Sequence, residues 1–81
     1  MNKYLIQALL QGNDAYTANA HVRSGVFYSN ERPIAVYPVL GLQEAIIDCT
    51  YYGQTELHQR RAIESALESK GVKITHCYGI K

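Results

Sequence analysis

The feature that most constrains the fold is one amphipathic segment, residues 55–70 (TELHQRRAIESALESK). At 100° per residue its small and aliphatic side chains form a narrow stripe, and its charged side chains lie opposite. Thr55 is a suitable N-cap, and Lys70 followed by Gly71 is typical of a helix C-terminus. The sequence therefore predicts a helix that packs on a sheet through Ala62, Ile63, Ala66 and Leu67.

The rest of the chain consists of short segments that alternate between polar and apolar residues, as strands do. Clusters of turn-forming residues, such as residues 12–14 (GND) and 24–25 (SG), separate these segments. β-Branched and aromatic residues, which strands favour, are frequent within them. The predicted strands are 3–11, 15–23, 26–28, 34–39, 44–52 and 72–78.

Segment 15–23 (AYTANAHVR) is compatible with two structures, and the choice between them changes the fold. Its alternation favours a strand that pairs with 3–11, whereas the residues on either side of it are good helix caps. With the strand, we predict an α+β fold: an antiparallel or mixed sheet of five to six short strands, covered on one face by one amphipathic C-terminal helix. With a short helix at 14–24, the order becomes βαββαβ, the ferredoxin-like arrangement.

Length and charge limit the classes of function. The 81 residues form a single α+β domain, 1–81, and the net charge of +1 favours neither nucleic acid nor an anionic membrane as a partner. No run of 18 apolar residues predicts a membrane span. Two cysteines and the lack of a signal-peptide pattern indicate a reduced, cytoplasmic protein.

A sheet covered by one helix leaves its other face without a cover. We expect apolar residues on that face, among them Leu5, Leu9, Ile46 and Tyr52, and an open apolar face usually marks a contact with a partner. The sequence therefore predicts a homodimer that also engages an unidentified protein, as an accessory or inhibitor-type binding module.

The residues that could carry chemistry form no recognisable catalytic or metal-binding pattern. Cys49, His58, His76 and Cys77 lack the spacing of a zinc site, and His76 and Cys77 would point to opposite faces of a strand. We therefore predict no metal, no cofactor and no enzymatic activity. A small enzyme with a Cys/His site is the third possibility.

The candidate interaction residues lie around the predicted strand-to-helix turn: Tyr51, Tyr52, Leu57, Arg60 and Arg61. Tyrosine and arginine are enriched at the energetic centres of protein interfaces. The same residues could instead stack on bases and contact phosphates, so a nucleic-acid-binding module is the alternative function. The basic residues are too scattered to favour it.

Overall fold

The computed structural model describes residues 3–80, which form two helices and six strands. This confirms the predicted α+β class. In chain order the elements are α1 (Lys3–Gln11), β1 (Ala15–Tyr16), β2 (Ala20–Arg23), β3 (Val26–Ser29), β4 (Arg32–Val36), β5 (Glu44–Asp48), α2 (Gln54–Ser69) and β6 (Lys73–Cys77).

The six strands form one mixed sheet in the order β1-β2-β3-β4-β5-β6. Neighbouring strands from β1 to β5 are antiparallel, and short turns connect all of them except β4 and β5, which a seven-residue loop joins. β6 runs parallel to β5 because α2 carries the chain back across the sheet between them. As predicted, the C-terminal helix packs on the sheet, against β4, β5 and β6.

The predicted strand at 3–11 is wrong, because this segment is helix α1. Its apolar residues fit both periods, and the helical stripe of Leu5, Ile6, Ala8 and Leu9 is the one that the fold buries. Tyr4, which the strand prediction placed with Ile6, is instead 62% exposed. Alanine, leucine and glutamine are strong helix formers, which agrees with the observed structure.

Segment 15–23 is a small hairpin and contains no helix, so the ferredoxin-like alternative is wrong. β1 and β2 pair with each other, and the predicted pairing with 3–11 does not occur. The turn between them is closed by Thr17, whose backbone N–H donates to the carbonyl of Ala20 at 2.8 Å. The Thr17 hydroxyl donates to the same oxygen at 3.0 Å.

Both helices lie on the same face of the sheet. The prediction of a single covering helix is therefore wrong, because two helices cover this face. α1 packs on β1, β2 and β3, α2 packs on β4, β5 and β6, and the helices contact each other. Leu5 and Leu9, predicted on the uncovered face of the sheet, lie on α1 and are fully buried where this helix packs on the sheet. The core comprises Leu5, Ile6, Ala8, Leu9, Ala15, Ala20, Val22, Phe27, Ile34, Ala35, Tyr37, Ala45, Ile47, Ile63, Leu67 and Val72.

Several strands are shorter than predicted. β4 ends at Val36, before Pro38, which cannot donate to a ladder. β5 ends at Asp48, whose carboxylate accepts the Thr50 N–H at 2.9 Å and so turns the chain out of the sheet. Within residues 3–80, neither helix has the length and apolar character needed to cross a membrane.

Candidate binding face

The side of the sheet opposite the two helices has no covering element among residues 3–80. We call this side the open face. Strand register determines which side chains it carries, because residues paired across neighbouring strands point to the same side. Its members include Tyr16, His21, Arg23, Val26, Tyr28, Val36, Ile46, Lys73 and Thr75.

An aliphatic row crosses the middle of the open face. Val26 pairs with Val36, which pairs with Ile46, and Ile46 pairs with Thr75 on the last strand. Each of the three aliphatic side chains is half-buried, although core residues beside them on the same strands are fully buried. Their remaining exposure is apolar area that a partner could remove from water.

An aromatic row runs beside the aliphatic one. The rings of Tyr16 and His21 stack with centroids 5.3 Å apart, and those of His21 and Tyr28 with centroids 4.6 Å apart. The Arg23 guanidinium lies 5.5 Å from the centroid of the Tyr28 ring. A hydrogen bond with Tyr28 raises the pKa of Arg23. The guanidinium is charged at neutral pH, as in arginine generally. The row combines apolar rings with a fixed positive charge.

A cleft of about 470 Å³ adjoins the aromatic row near the turns of the β1–β2 and β3–β4 hairpins. The two turns are held together by the Asn30 N–H, which donates to the carbonyl of Asn19 at 2.8 Å. Polar groups form most of the lining. The lining residues include Tyr16, Asn19, His21, Arg23, Asn30 and Glu31.

Asp48 is a buried carboxylate at the end of β5, and its contacts are structural. It accepts hydrogen bonds from the Tyr52 hydroxyl at 2.6 Å, the Thr50 N–H at 2.9 Å and the Gly79 N–H at 2.9 Å. Burial acts to raise the pKa of Asp48, but these hydrogen bonds outweigh burial, and the pKa is lowered. The ionised group therefore ties the segment after β5 to the C-terminal segment.

The structure does not gather the predicted interaction residues into one surface. Tyr51 is exposed in the loop before α2, and Tyr52 is occupied by its bond to Asp48 and by Arg32, which lies 3.9 Å from its ring centroid. The bond to Asp48 also raises the pKa of Tyr52. These two tyrosines therefore flank the Asp48 contacts and contribute nothing to the aliphatic row.

The other three predicted residues lie on α2, on the helical side of the molecule. Leu57 is half-buried and Arg61 is exposed. Arg60 donates to the carbonyl of Cys49 at 3.2 Å and lies 3.4 Å from a carboxylate oxygen of Glu64. Arg60 thus connects α2 to Cys49, the residue that follows β5.

The cysteines and histidines do not form a catalytic arrangement. Cys49 and Cys77 are both free thiols, and burial is the main cause that raises the pKa of Cys77, which lowers its reactivity. His76 contacts Glu64 at 3.2 Å, on the side of the sheet that α2 covers. Residues 3–80 contain no group of three acidic, cysteine or histidine side chains placed to hold a metal ion.

Sequence reasoning missed the aromatic row, although the signal was available. In a two-residue hairpin turn, the residues on either side pair symmetrically. A turn at Ser24-Gly25 therefore pairs Arg23 with Val26 and His21 with Tyr28, as the structure does.

Comparison with protein-family models, with curated proteins and with solved structures finds no match to this chain.

Proposed function

We propose that the chain is a non-enzymatic binding module whose open face takes another protein. The observation that carries this proposal is the aliphatic row of Val26, Val36 and Ile46, which is half-buried on a sheet whose other face is covered by two helices. A domain of this size has little apolar area to spare for solvent. Contiguous apolar area on one face is typical of an interaction site.

The area of the open face indicates the size class of the interface that it can form. Strands lie about 4.8 Å apart and residues rise about 3.4 Å along each strand, so six strands of up to five residues span roughly 24 by 15 Å. The flat area of about 360 Å² is smaller than the ~800 Å² that each partner contributes to an interface of standard size, so the open face fits a small, transient interface.

The geometry of the aromatic row favours protein over nucleic acid. Both faces of the His21 ring are covered, by Tyr16 on one side and Tyr28 on the other. Base stacking needs an exposed ring face, so only the outer rings of the row could receive a base. The aliphatic residues beside them offer no stacking surface and suit an apolar protein surface.

The charges of the open face define the chemistry of the partner. Arg23 lies at one end of the aliphatic row, while Lys73 is 3.9 Å from Glu44 at the far side of the sheet. Glu31 acts on Arg23 electrostatically, but the ion pairs found within residues 3–80 do not include Arg23, whereas they do include Lys73. We infer a partner with an apolar patch that places an acidic side chain near Arg23.

Site-specific photo-crosslinking in the native cell tests the proposal. A benzophenone amino acid at Val36 places the reactive group in the centre of the aliphatic row. The matched control carries it at Arg61, which is exposed on α2 and belongs to the interaction site predicted from the sequence. We expect Val36 to give a crosslink to a second, different polypeptide and Arg61 to give much less.

The other outcomes each contradict the proposal. Crosslinks from Val36 to RNA or DNA would favour the nucleic-acid alternative, and crosslinks only to a second copy would make the open face the homodimer contact. Stronger crosslinking from Arg61, or none from Val36, would place the functional surface elsewhere. The predicted homodimer and the predicted cytoplasmic location stay predictions.

A further inference from the structure

The outer edge of β6 is the longer of the two free edges of the sheet. β6 ends the strand order and has five residues, whereas β1, at the other end, has two. A free edge presents backbone N–H and C=O groups that can pair with another strand.

The register between β5 and β6 fixes which backbone groups point outwards. The Lys73 N–H donates to the carbonyl of Gln43 at 3.1 Å, and the carbonyl of Cys77 accepts the Cys49 N–H at 2.7 Å. In a parallel pair of strands, every second residue directs both its N–H and its C=O to the same neighbouring strand. Thr75, which lies between Lys73 and Cys77 in this alternation, therefore also bonds to β5. The N–H and C=O groups of Ile74 and His76 therefore face away from the sheet.

We propose that β6 pairs with β6 of a second copy, antiparallel and around a two-fold axis at Thr75. In this register Ile74 lies opposite the second copy's position 76, and His76 lies opposite its position 74. These are the residues whose backbone groups point outwards, so every outward N–H meets an outward C=O. If the two-fold axis passed through Ile74 or His76 instead, that residue would face its own copy. The other outward-facing residue of β6 would then lie opposite a residue outside the strand.

The side chains agree with this register. Thr75 would face its own copy across the axis, and threonine pairs are favourable between antiparallel strands. Lys73 would face the second copy's position 77, a neutral cysteine, so no two like charges are opposed. The two open faces would then join on one side of a continuous sheet, and assembly would stop at two copies because the β1 edges are short.

This inference goes beyond the proposed function, because it assigns the self-contact to an edge and leaves the open face for the other protein. It replaces the sequence-based expectation that the open face itself makes the dimer. The two proposals fail separately, since a β6 dimer does not need an occupied open face.

Disulfide trapping tests the register. In a background with Cys49→Ala and Cys77→Ala, Thr75→Cys places two thiols directly opposite each other, with Cα atoms about 4.5 Å apart. The matched control is Lys73→Cys in the same background, where the two thiols would be offset by four residues, about 14 Å. We expect rapid covalent dimer formation under mild oxidation for Thr75→Cys and almost none for Lys73→Cys.

A backbone variant tests the hydrogen bonds without a crosslink. His76→Pro removes a backbone N–H that points outwards and is not bonded to β5. His76→Ala is the matched control: both variants lose the side-chain contact with Glu64, but His76→Ala keeps the backbone N–H. By sedimentation, we expect wild type and His76→Ala to be dimers of the 9.1 kDa chain, and dimer affinity to fall roughly tenfold or more in His76→Pro.

Three results would overturn the inference. They are a wild-type chain that stays monomeric at millimolar concentration, equal trapping of Thr75→Cys and Lys73→Cys, and equal dimer affinities of the two His76 variants. Circular dichroism confirms that each variant is folded. If His76→Pro does not fold, the trapping experiment decides alone.

Discussion

Ile46 and Ile47 are neighbours on β5 and face opposite sides of the same sheet. Ile47 is 0% exposed beneath the helices, whereas Ile46 is only half-buried on the open face. The period of two along a strand produces both environments from one stretch of sequence. The comparison indicates that one face of the sheet forms the core with the helices. The other face carries an aliphatic row that the helices do not cover.

The largest expected effect comes from truncating the covered face. Ile47→Ala removes a fully buried side chain and should lower the free energy of unfolding by about 2–5 kcal/mol. Ile46→Ala is the matched control and should cost clearly less, because its side chain already contacts water. Urea unfolding measures both variants, and equal losses would remove the distinction between the faces.

Tyr52→Phe tests whether Tyr52 has a structural role. The change removes the hydroxyl that donates to the buried Asp48 carboxylate at 2.6 Å. A hydrogen bond to a charged group contributes about 1.5–3 kcal/mol, so we expect a loss of that order in urea unfolding. Tyr51→Phe is the control, because Tyr51 is 64% exposed, and it should be neutral. Equal stabilities of the two variants would contradict the role of Tyr52.

The lowered pKa of Asp48 predicts a pH dependence with a definite sign. A carboxyl group whose pKa is lower in the folded state stabilises the fold above its unfolded pKa of about 3.9. That contribution is lost as the pH falls from there through the folded pKa. Asp48→Asn should therefore be less stable than wild type at pH 7, and the difference should shrink in acid. A difference that stays constant down to pH 2 would contradict this account.

Substitutions on the open face are expected to have the smallest effect on the free energy of unfolding. They should instead weaken binding of the partner. Val36→Ala removes two methyl groups from a half-buried site and should cost at most about 1 kcal/mol in urea unfolding. The same change should weaken capture of the crosslinked partner, because the aliphatic row loses its central member. Val36→Ala with unchanged partner binding would show that the row is not the contact.

The sequence predicted the elements whose pattern has one interpretation. The stripe of Ile63 and Leu67 on α2 fits a helix, and the alternation over 72–78, which contains β6, fits a strand. Segment 3–11 was assigned wrongly because its apolar residues satisfy periods of 2 and 3.6 together, and tertiary packing decided between them. Length gave no further help, since nine residues suit either element.

The candidate site was harder to predict than the fold class. The adjacent tyrosines Tyr51 and Tyr52 were predicted to bind a partner, but the Tyr52 hydroxyl is hydrogen-bonded to Asp48 within the domain. The residues of the open face come from separate strands, and only their register brings them together. The sequence predicted an open face because it predicted only one covering helix. The structure has two covering helices, but both lie on the same side, so the other side is still open.

The central claim is that both helices cover one face of the sheet and leave the other open. Methyl NMR of the purified protein with a soluble gadolinium chelate tests it directly, because relaxation increases with exposure to solvent. We predict strong broadening of the δ1 methyl of Ile46 and little for that of Ile47. Equal protection of the two methyl groups, or stronger broadening of Ile47, would contradict the account.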